Sequence, residues 1–337
     1  MTRPSLSRIK LFGISLVLLN WPLAALAGVP EAIENHALPR VHSFAVQAKA
    51  LEVNAMADCT AEALRPSFQN AFDAWMGISH LTFGPLEVNG RGLAIGFWPD
   101  KRGMVGSTVA QLVRDEDKAV ESAEAFAEVS VAGRGLFALE LLLYDQEFAG
   151  YSRDSYTCRL VQAEARDLAR MAAEVDTDWA RTAELMRTAG EAGNPVYLSP
   201  REPAQQFYTV LMAGLEFTAD QRLGRPMGTF DKPRPERAEA RRSGRSLRNI
   251  ELSLAALKDL AEKLAVEPIP VTEEAFARAM AQAQDLQDPV LEGVSDPSGR
   301  LKVEIVQQST RAVQDAVAGE IGAHLGVTEG FNSADGD

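Results

Sequence analysis

Between Gly133 and Asp145 one carboxylate, Glu140, interrupts a run in which Leu136, Phe137, Leu139, Leu141, Leu142, Leu143 and Tyr144 cover every face of a helix. A helix that is apolar all round is a buried helix. Glu140 is therefore expected inside, where an unpaired charge is too expensive and the group needs a cation, a metal, hydrogen-bond donors or a proton. The pattern around it is helical almost throughout. Val41, Phe44, Ala45, Ala48, Leu51 and Ala55 recur at three- and four-residue steps and predict a helix over Val41–Ala57. Residues 28–40, with Pro30 and Pro39, read as loop. Further helices are predicted from Pro66 or Ser67 to Ile78, over 107–113, over Lys118–Val129, and over Tyr156–Ala189, the last one long helix whose length leaves room for a break near Asp176. The second half predicts helices over Ala204–Leu223, Leu247–Leu264, Glu273–Gln287 and Arg300–Leu325. The fold class is all-α.

Three stretches break the helical pattern. His80–Met104 is rich in glycine and proline and has no apolar stripe, so it reads as a long loop insertion whose aromatic and charged residues are available to a site. Gly190–Pro203, dense in turn residues, is the best internal boundary. Residues 222–248 hold nine Arg or Lys against three acids. There Ser246 is a candidate cap for the following helix, leaving arginines and backbone N–H groups to face an anion, or else the arginines pair with the chain's own carboxylates. Ala213-Gly214-Leu215-Glu216-Phe217 also echoes Phe137-Ala138-Leu139-Glu140-Leu141, a hint of duplication.

Composition adds a compartment. The first 27 residues carry Arg3, Arg8 and Lys10, an apolar core and a terminal Ala25-Leu26-Ala27, the features of a secretory signal peptide cut near Ala27. Without those three cations, 31 basic residues face 47 acidic ones, a net charge of −16, which disfavours nucleic acid as a partner. No membrane span is expected after cleavage. Cys59 and Cys158, about a hundred residues apart, are expected to pair in an oxidising compartment, which in the chain-entropy picture is worth on the order of 4 kcal/mol; two buried free thiols are the alternative.

Common catalytic signatures are missing from the sequence. With four histidines, His36, His42, His80 and His324, there is no His-Glu-x-x-His helix, no Gly-x-Ser-x-Gly elbow and no phosphate loop. The Asp-Gly-rich end resembles only part of a calcium loop, since the later glutamate is missing.

Several stretches together resemble the imelysin-like family of secreted bacterial proteins, the M75 peptidase group. They are Phe83-Gly84-Pro85, Ala94 to Asp100, the Gly135 to Tyr144 helix, Arg242-Ser243-Gly244, Leu325 to Thr328 and Gly330 to Asp337. The resemblance implies two packed four-helix bundles, a periplasmic or surface location and a link to iron acquisition. The family signature is Gly-x-His-x-x-Glu. Gly135 and Glu140 occupy its ends, while Phe137 stands in the His place. The carboxylate alone remains, so a metal would need donors from elsewhere, with His80, Glu87, Glu216 and Asp335 as candidates.

The resulting expectation is a periplasmic, non-catalytic imelysin-like protein with residues 28–195 as an N-terminal bundle and 196–337 as a C-terminal one. A polar site lies where they meet. Glu140 is its central acceptor and the metal candidate, and Arg91, Trp98, Arg134, Arg242 and Ser243 line it. The ligand is a small molecule or a metal ion, with iron or another divalent metal implied by the resemblance. Its rivals are a metal-dependent hydrolase and a structural protein that docks a periplasmic or envelope partner.

Overall fold

The computed structural model describes residues 28–326; the expected signal peptide, Asp335 and the motif beyond Gly326 lie outside the described residues. Within that range the chain is helical and has no β-strand beyond one isolated bridge, Thr229 to Lys232. The principal helices are α1 Leu38–Ala57, α2 Ala61–Met76, α3 Met104–Asp115, α4 Gly135–Tyr144 and α5 Tyr156–Arg187. They are followed by α6 Glu202–Phe217, α7 Ser246–Leu264, α8 Pro270–Leu286 and α9 Pro297–Val317. No helix among the described residues is long and apolar enough to cross a membrane.

Packing follows the apolar stripes. Helix α1 lies against α2 and α5, and α4 closes that group by packing on the same two. In the second half α7 lies against α6 and α8, and α9 packs on α6 and α8 in turn. Helix α7 also touches α2, so the two groups share a seam. Cys59 and Cys158 are bonded, with their Cα atoms 5.5 Å apart, and tie the start of α2 to the first turn of α5.

Several boundaries differ from the sequence expectation, each for a local reason. Residues 28–40 are helical rather than loop: Val29–Ala32 leads through a π-helical turn at Ile33–Ala37 into α1. Pro30 and Pro39 each fall at the start of a helical segment, where a missing N–H is tolerated, and the wider turn lets the chain continue. This N-terminal piece docks on α6 and α7, and Gly28 N donates to Lys263 O at 3.0 Å. Helix α2 begins at Ala61, ahead of Pro66, because Asp58 accepts from both the N–H and the hydroxyl of Thr60 and organises the turn before it. Lys118–Val129 divides at Ser122, whose hydroxyl accepts from Ala125 N and caps Ala123–Ala127. Helix α5 runs 32 residues without a break at Asp176. Ser246 is the first residue inside α7 rather than its cap, and its hydroxyl has no hydrogen-bond partner.

Every residue of α4 from Gly135 to Leu143 is buried, as its all-round apolarity requires. Its entry depends on Gly135, which has φ 78°; a Cβ there would lie 2.1 Å from Ala94 O and 2.6 Å from Ile95 O. The Gly135 N–H donates to Glu164 Oε2 at 2.9 Å. Gly135→Ala is therefore expected to destabilise the protein by about 2 to 4 kcal/mol, combining a left-handed backbone with a backbone clash. Denaturant unfolding checks this, and a wild-type midpoint for the variant contradicts the close approach.

Candidate functional site

Two clefts adjoin α4, with Trp98 and Phe137 lining both. The larger, about 570 Å³, is enclosed by Trp75 at the end of α2, the 79–98 segment, Phe137, and α6 with the π-helical turn Thr218–Leu223 that continues it. Aromatic side chains dominate its walls, and Trp98 and Phe217 meet edge to face at 5.7 Å between centroids. His80, Glu87, Glu216, Asp220, Arg222 and Glu239 supply its polar groups. Arg222 and Glu239 neutralise each other at 2.7 Å, both buried. Asp220 pairs with Arg311 at 2.9 Å. Glu216, the counterpart of Glu140 in the sequence echo, is half-buried where Glu140 is buried.

Behind His80 runs a buried polar chain. His36 Nδ1 lies 2.7 Å from Asp259 Oδ2, and His36 Nε2 lies 2.9 Å from His80 Nε2. The ionised Asp259 only accepts, so His36 donates from Nδ1 and its Nε2 accepts from His80 Nε2–H. That order leaves His80 Nδ1 as a bare acceptor beside the cleft. Burial pushes both histidines below their ordinary value, for His36 against the pull of its Asp259 hydrogen bond; His80 lies furthest below, with the His36, Arg40 and Arg222 charges adding to burial. Arg40 holds Asp259 from the other side at 3.1 Å.

The second cleft, about 250 Å³, contains Glu140. Glu140 is 3 % exposed, and Oε1 accepts from Ser243 N at 2.9 Å and Ser243 Oγ at 2.7 Å. Burial raises its pKa above the usual carboxylate range, opposed by the two Ser243 hydrogen bonds and the nearby charges of Arg242 and Arg245. Arg242 itself pairs with Asp145 at 2.7 Å. Of the residues expected at the site, Glu140, Ser243, Arg242 and Trp98 are brought together. Arg91 and Arg134 are engaged elsewhere. Arg91 spans Asp178 at 2.6 Å and Glu174 at 3.1 Å, and Arg134 pairs with Asp167 at 3.2 Å; neither lines the two clefts.

Two features escaped the sequence reading. The His36–Asp259 contact links positions 223 residues apart, and His36 lay in a stretch read as loop. Glu164, fully buried beneath Gly135, sits on an otherwise ordinary amphipathic helix; burial and the Asp167 charge push its pKa well above the usual range. Among the described residues no three His, Cys, Asp or Glu side chains converge closely enough to hold a metal ion. His80, Glu87 and Glu216, the expected additional donors, do share the larger cleft.

Because Ser243 donates twice to one oxygen, an amide satisfies the same geometry. Glu140→Gln is expected to change stability by less than about 1 kcal/mol, whereas Glu140→Leu leaves the Ser243 N–H without its acceptor, while the Ser243 hydroxyl keeps Ala240 O, and costs about 1 to 3 kcal/mol. Thermal and denaturant unfolding of the two variants give the comparison; equal losses would contradict the assigned pairing.

The family model of Imelysin, peptidase M75, matches residues 37–317. No curated protein matches the chain. An imelysin-like protein from Psychrobacter arcticus 273-4 is similar in structure, with a TM-score of 0.73 at 20% identity over 90% of this chain and 96% of that one. A putative iron-regulated protein A precursor from Parabacteroides distasonis ATCC 8503 has a TM-score of 0.55 at 13% identity, over 86% of this chain and 93% of the other. Both share this helical fold. With the family match running through most of the helices described above, the chain belongs to the imelysin (peptidase M75) family.

Proposed function

We propose that the protein is a non-catalytic binding protein of the periplasm, organised as two bundles over 28–195 and 196–337, with its ligand in the larger cleft at their junction. The observation that carries this reading is the cleft itself: about 570 Å³, walled by Trp75, Trp98, Phe137 and Phe217, with His80 Nδ1 held as an acceptor by the Asp259–His36 chain. Concave, largely apolar sites with a few fixed polar groups are the usual form of small-molecule sites. The ligand is a small molecule with hydrogen-bond donors, or a metal that arrives with donors of its own. The iron-regulated description of the Parabacteroides neighbour supports a connection with iron handling. The Glu140, Ser243 and Arg242 cluster forms the floor next to this cleft, and Trp98 belongs to both.

Calorimetry and thermal shift of the mature chain with ferric ion, ferric citrate and a small-molecule panel test the assignment. Ala213→Trp, which fills the cleft from α6, is expected to weaken any hit at least about tenfold. Unchanged affinity in that variant sinks the cleft as the site. Hydrolysis of a peptide panel by metal-loaded protein, abolished by chelation, would instead favour the hydrolase reading.

The histidine chain adds a pH dependence. Since the fold keeps His36 and His80 neutral, their contribution is complete above the ordinary histidine value near 6.5 and is lost as the pH falls below it. Glu140 and Glu164, with raised values, act in the opposite sense: their burial costs progressively more as the pH rises above the ordinary 4.5. The carboxylate effects are common to wild type and His80→Gln. The drop in Tm between about pH 7.5 and about pH 5.5 is thus expected to be smaller in the variant, and an identical drop contradicts the neutral pair.

A further inference from the structure

Among the arginines between 222 and 248, most have carboxylate partners. Arg222 pairs with Glu239, Arg234 with Glu236, Arg241 with Glu292, Arg242 with Asp145, and Arg245 and Arg248 with Asp73. Local pairing thus accounts for most of the basic run. Arg225 and Arg237 differ. Neither side chain has an ion pair or hydrogen bond among the described residues, and both line the cleft that contains Glu140. Arg225 lies over the Trp98 ring, 5.9 Å from its centroid, with its Nε buried and lacking a hydrogen-bond partner. The Nε of Arg241, on the same cleft, is buried and unpartnered in the same way.

Of the three carboxylates that line this cleft, Asp100 and Glu140 are already committed. Asp100 accepts from the backbone N–H groups of Arg102, Met104 and Val105 at 3.2, 2.9 and 2.9 Å. Glu140 is taken by Ser243, and Glu236 lies 3.6 Å from Arg234. Burial lowers the pKa of Arg225, and the neighbouring positive charge of Arg237 lowers it further. In a chain with 47 acidic residues against 34 basic ones, two adjacent guanidinium groups without a carboxylate, beside orphaned Nε–H donors, are out of keeping with simple charge pairing.

We propose that the cleft beside Glu140 binds a small oxyanion, a phosphate or carboxylate, between Arg225 and Arg237 at the edge of Trp98. A guanidinium fork presents parallel N–H donors that match two oxygens of such a group, which a spherical halide cannot engage in the same way. Arg242 stays with Asp145 and Ser243 with Glu140, so the anion leaves both of those contacts in place. The inference is independent of what the larger cleft holds.

The test is isothermal titration and thermal shift of the mature chain with inorganic phosphate and with citrate, at ionic strength held constant with sodium chloride. Saturable binding and a rise in Tm are expected with at least one of them, and which one responds separates a phosphate from a carboxylate ligand. The double variant Arg225→Gln/Arg237→Gln is expected to bind at least about tenfold more weakly. In anion-free buffer it should melt no lower than wild type, because it removes mutual repulsion. The single change at exposed Arg237 gives an intermediate loss. Equal affinity in wild type and double variant, no binding of either probe, or the same Tm rise with chloride alone would overturn the proposal.

Discussion

A single buried cation, Arg245, sets the relation between the two halves of the molecule. Its side chain is 1 % exposed, at the start of α7, and a guanidinium so placed is stable only if its donors are met. They are met across the seam. Asp73 on α2 accepts at 2.7 Å, Asn249 one turn along α7 accepts at 3.0 Å, and the Gln69 side chain and backbone carbonyl accept as well. The ring of Phe72 lies beneath, 4.4 Å from the guanidinium carbon. Removing Asp73 leaves the Arg245 guanidinium buried without its charge partner, a loss that typically costs about 3 to 5 kcal/mol, whereas Asp73 itself is also held by Arg248. The turn before Arg245 is bound by the same requirement. Arg245 N closes on Ala240 O at 3.2 Å, with Ala240 and Gly244 both at positive φ, and this shape delivers Ser243 to Glu140. The acid inside α4 is therefore tolerated by a turn that α2 and α7 jointly hold in place.

A second tie works from the N-terminal side. Val29–Ala37 reaches α6 and α7, and His36 meets Asp259 on α7. The same contact fixes the donor order through His36 to His80, so the chemistry offered to the larger cleft is set by a carboxylate two rings away. Gly214 eases this arrangement: a Cβ there would lie 2.6 Å from Leu257 Cδ2 and 3.1 Å from His80 Cβ, so a larger residue would require the Leu257 side chain and His80 to shift. The scaffold and the cleft thus draw on one set of contacts, and neither can be altered without the other.

What the sequence made legible was periodic or local. The helices were readable from apolar spacing and the burial of Glu140 from the apolarity of α4, whereas the two Ser243 hydrogen bonds to Glu140 leave no mark in the sequence. The errors have physical sources. Pro30 and Pro39 signalled loop because a π-helical turn that accommodates them leaves no mark in the periodicity. Arg91 and Arg134 looked available because their glycine-rich surroundings are visible in sequence, whereas their partners Asp178, Glu174 and Asp167 lie on a distant amphipathic helix. Ser246 has the composition of a cap but lies one residue inside α7. Arg225 and Arg237 could not be distinguished from their paired neighbours, since being unpaired is a property of the assembled fold alone.

Phe137 is shared by the two clefts. Its ring stacks edge to face on Phe72 at 5.5 Å between centroids, and it lines both clefts together with Trp98. A histidine in that position, as the family signature has it, would place a titratable donor and acceptor on the shared wall, three residues from Glu140 on the same helical face. The phenyl ring offers neither. It leaves Glu140 to Ser243 alone and makes the wall between the clefts apolar. On one side of that wall lie Glu87, Glu216, Asp220 and the Arg222–Glu239 pair, and on the other Asp100, Glu140 and Glu236 with Arg225, Arg237, Arg241 and Arg242. Charges separated by a low-dielectric partition interact more strongly than they would across water. Phe137 therefore gives two adjoining clefts a common apolar wall, and the polar chemistry of each is set by side chains from other elements.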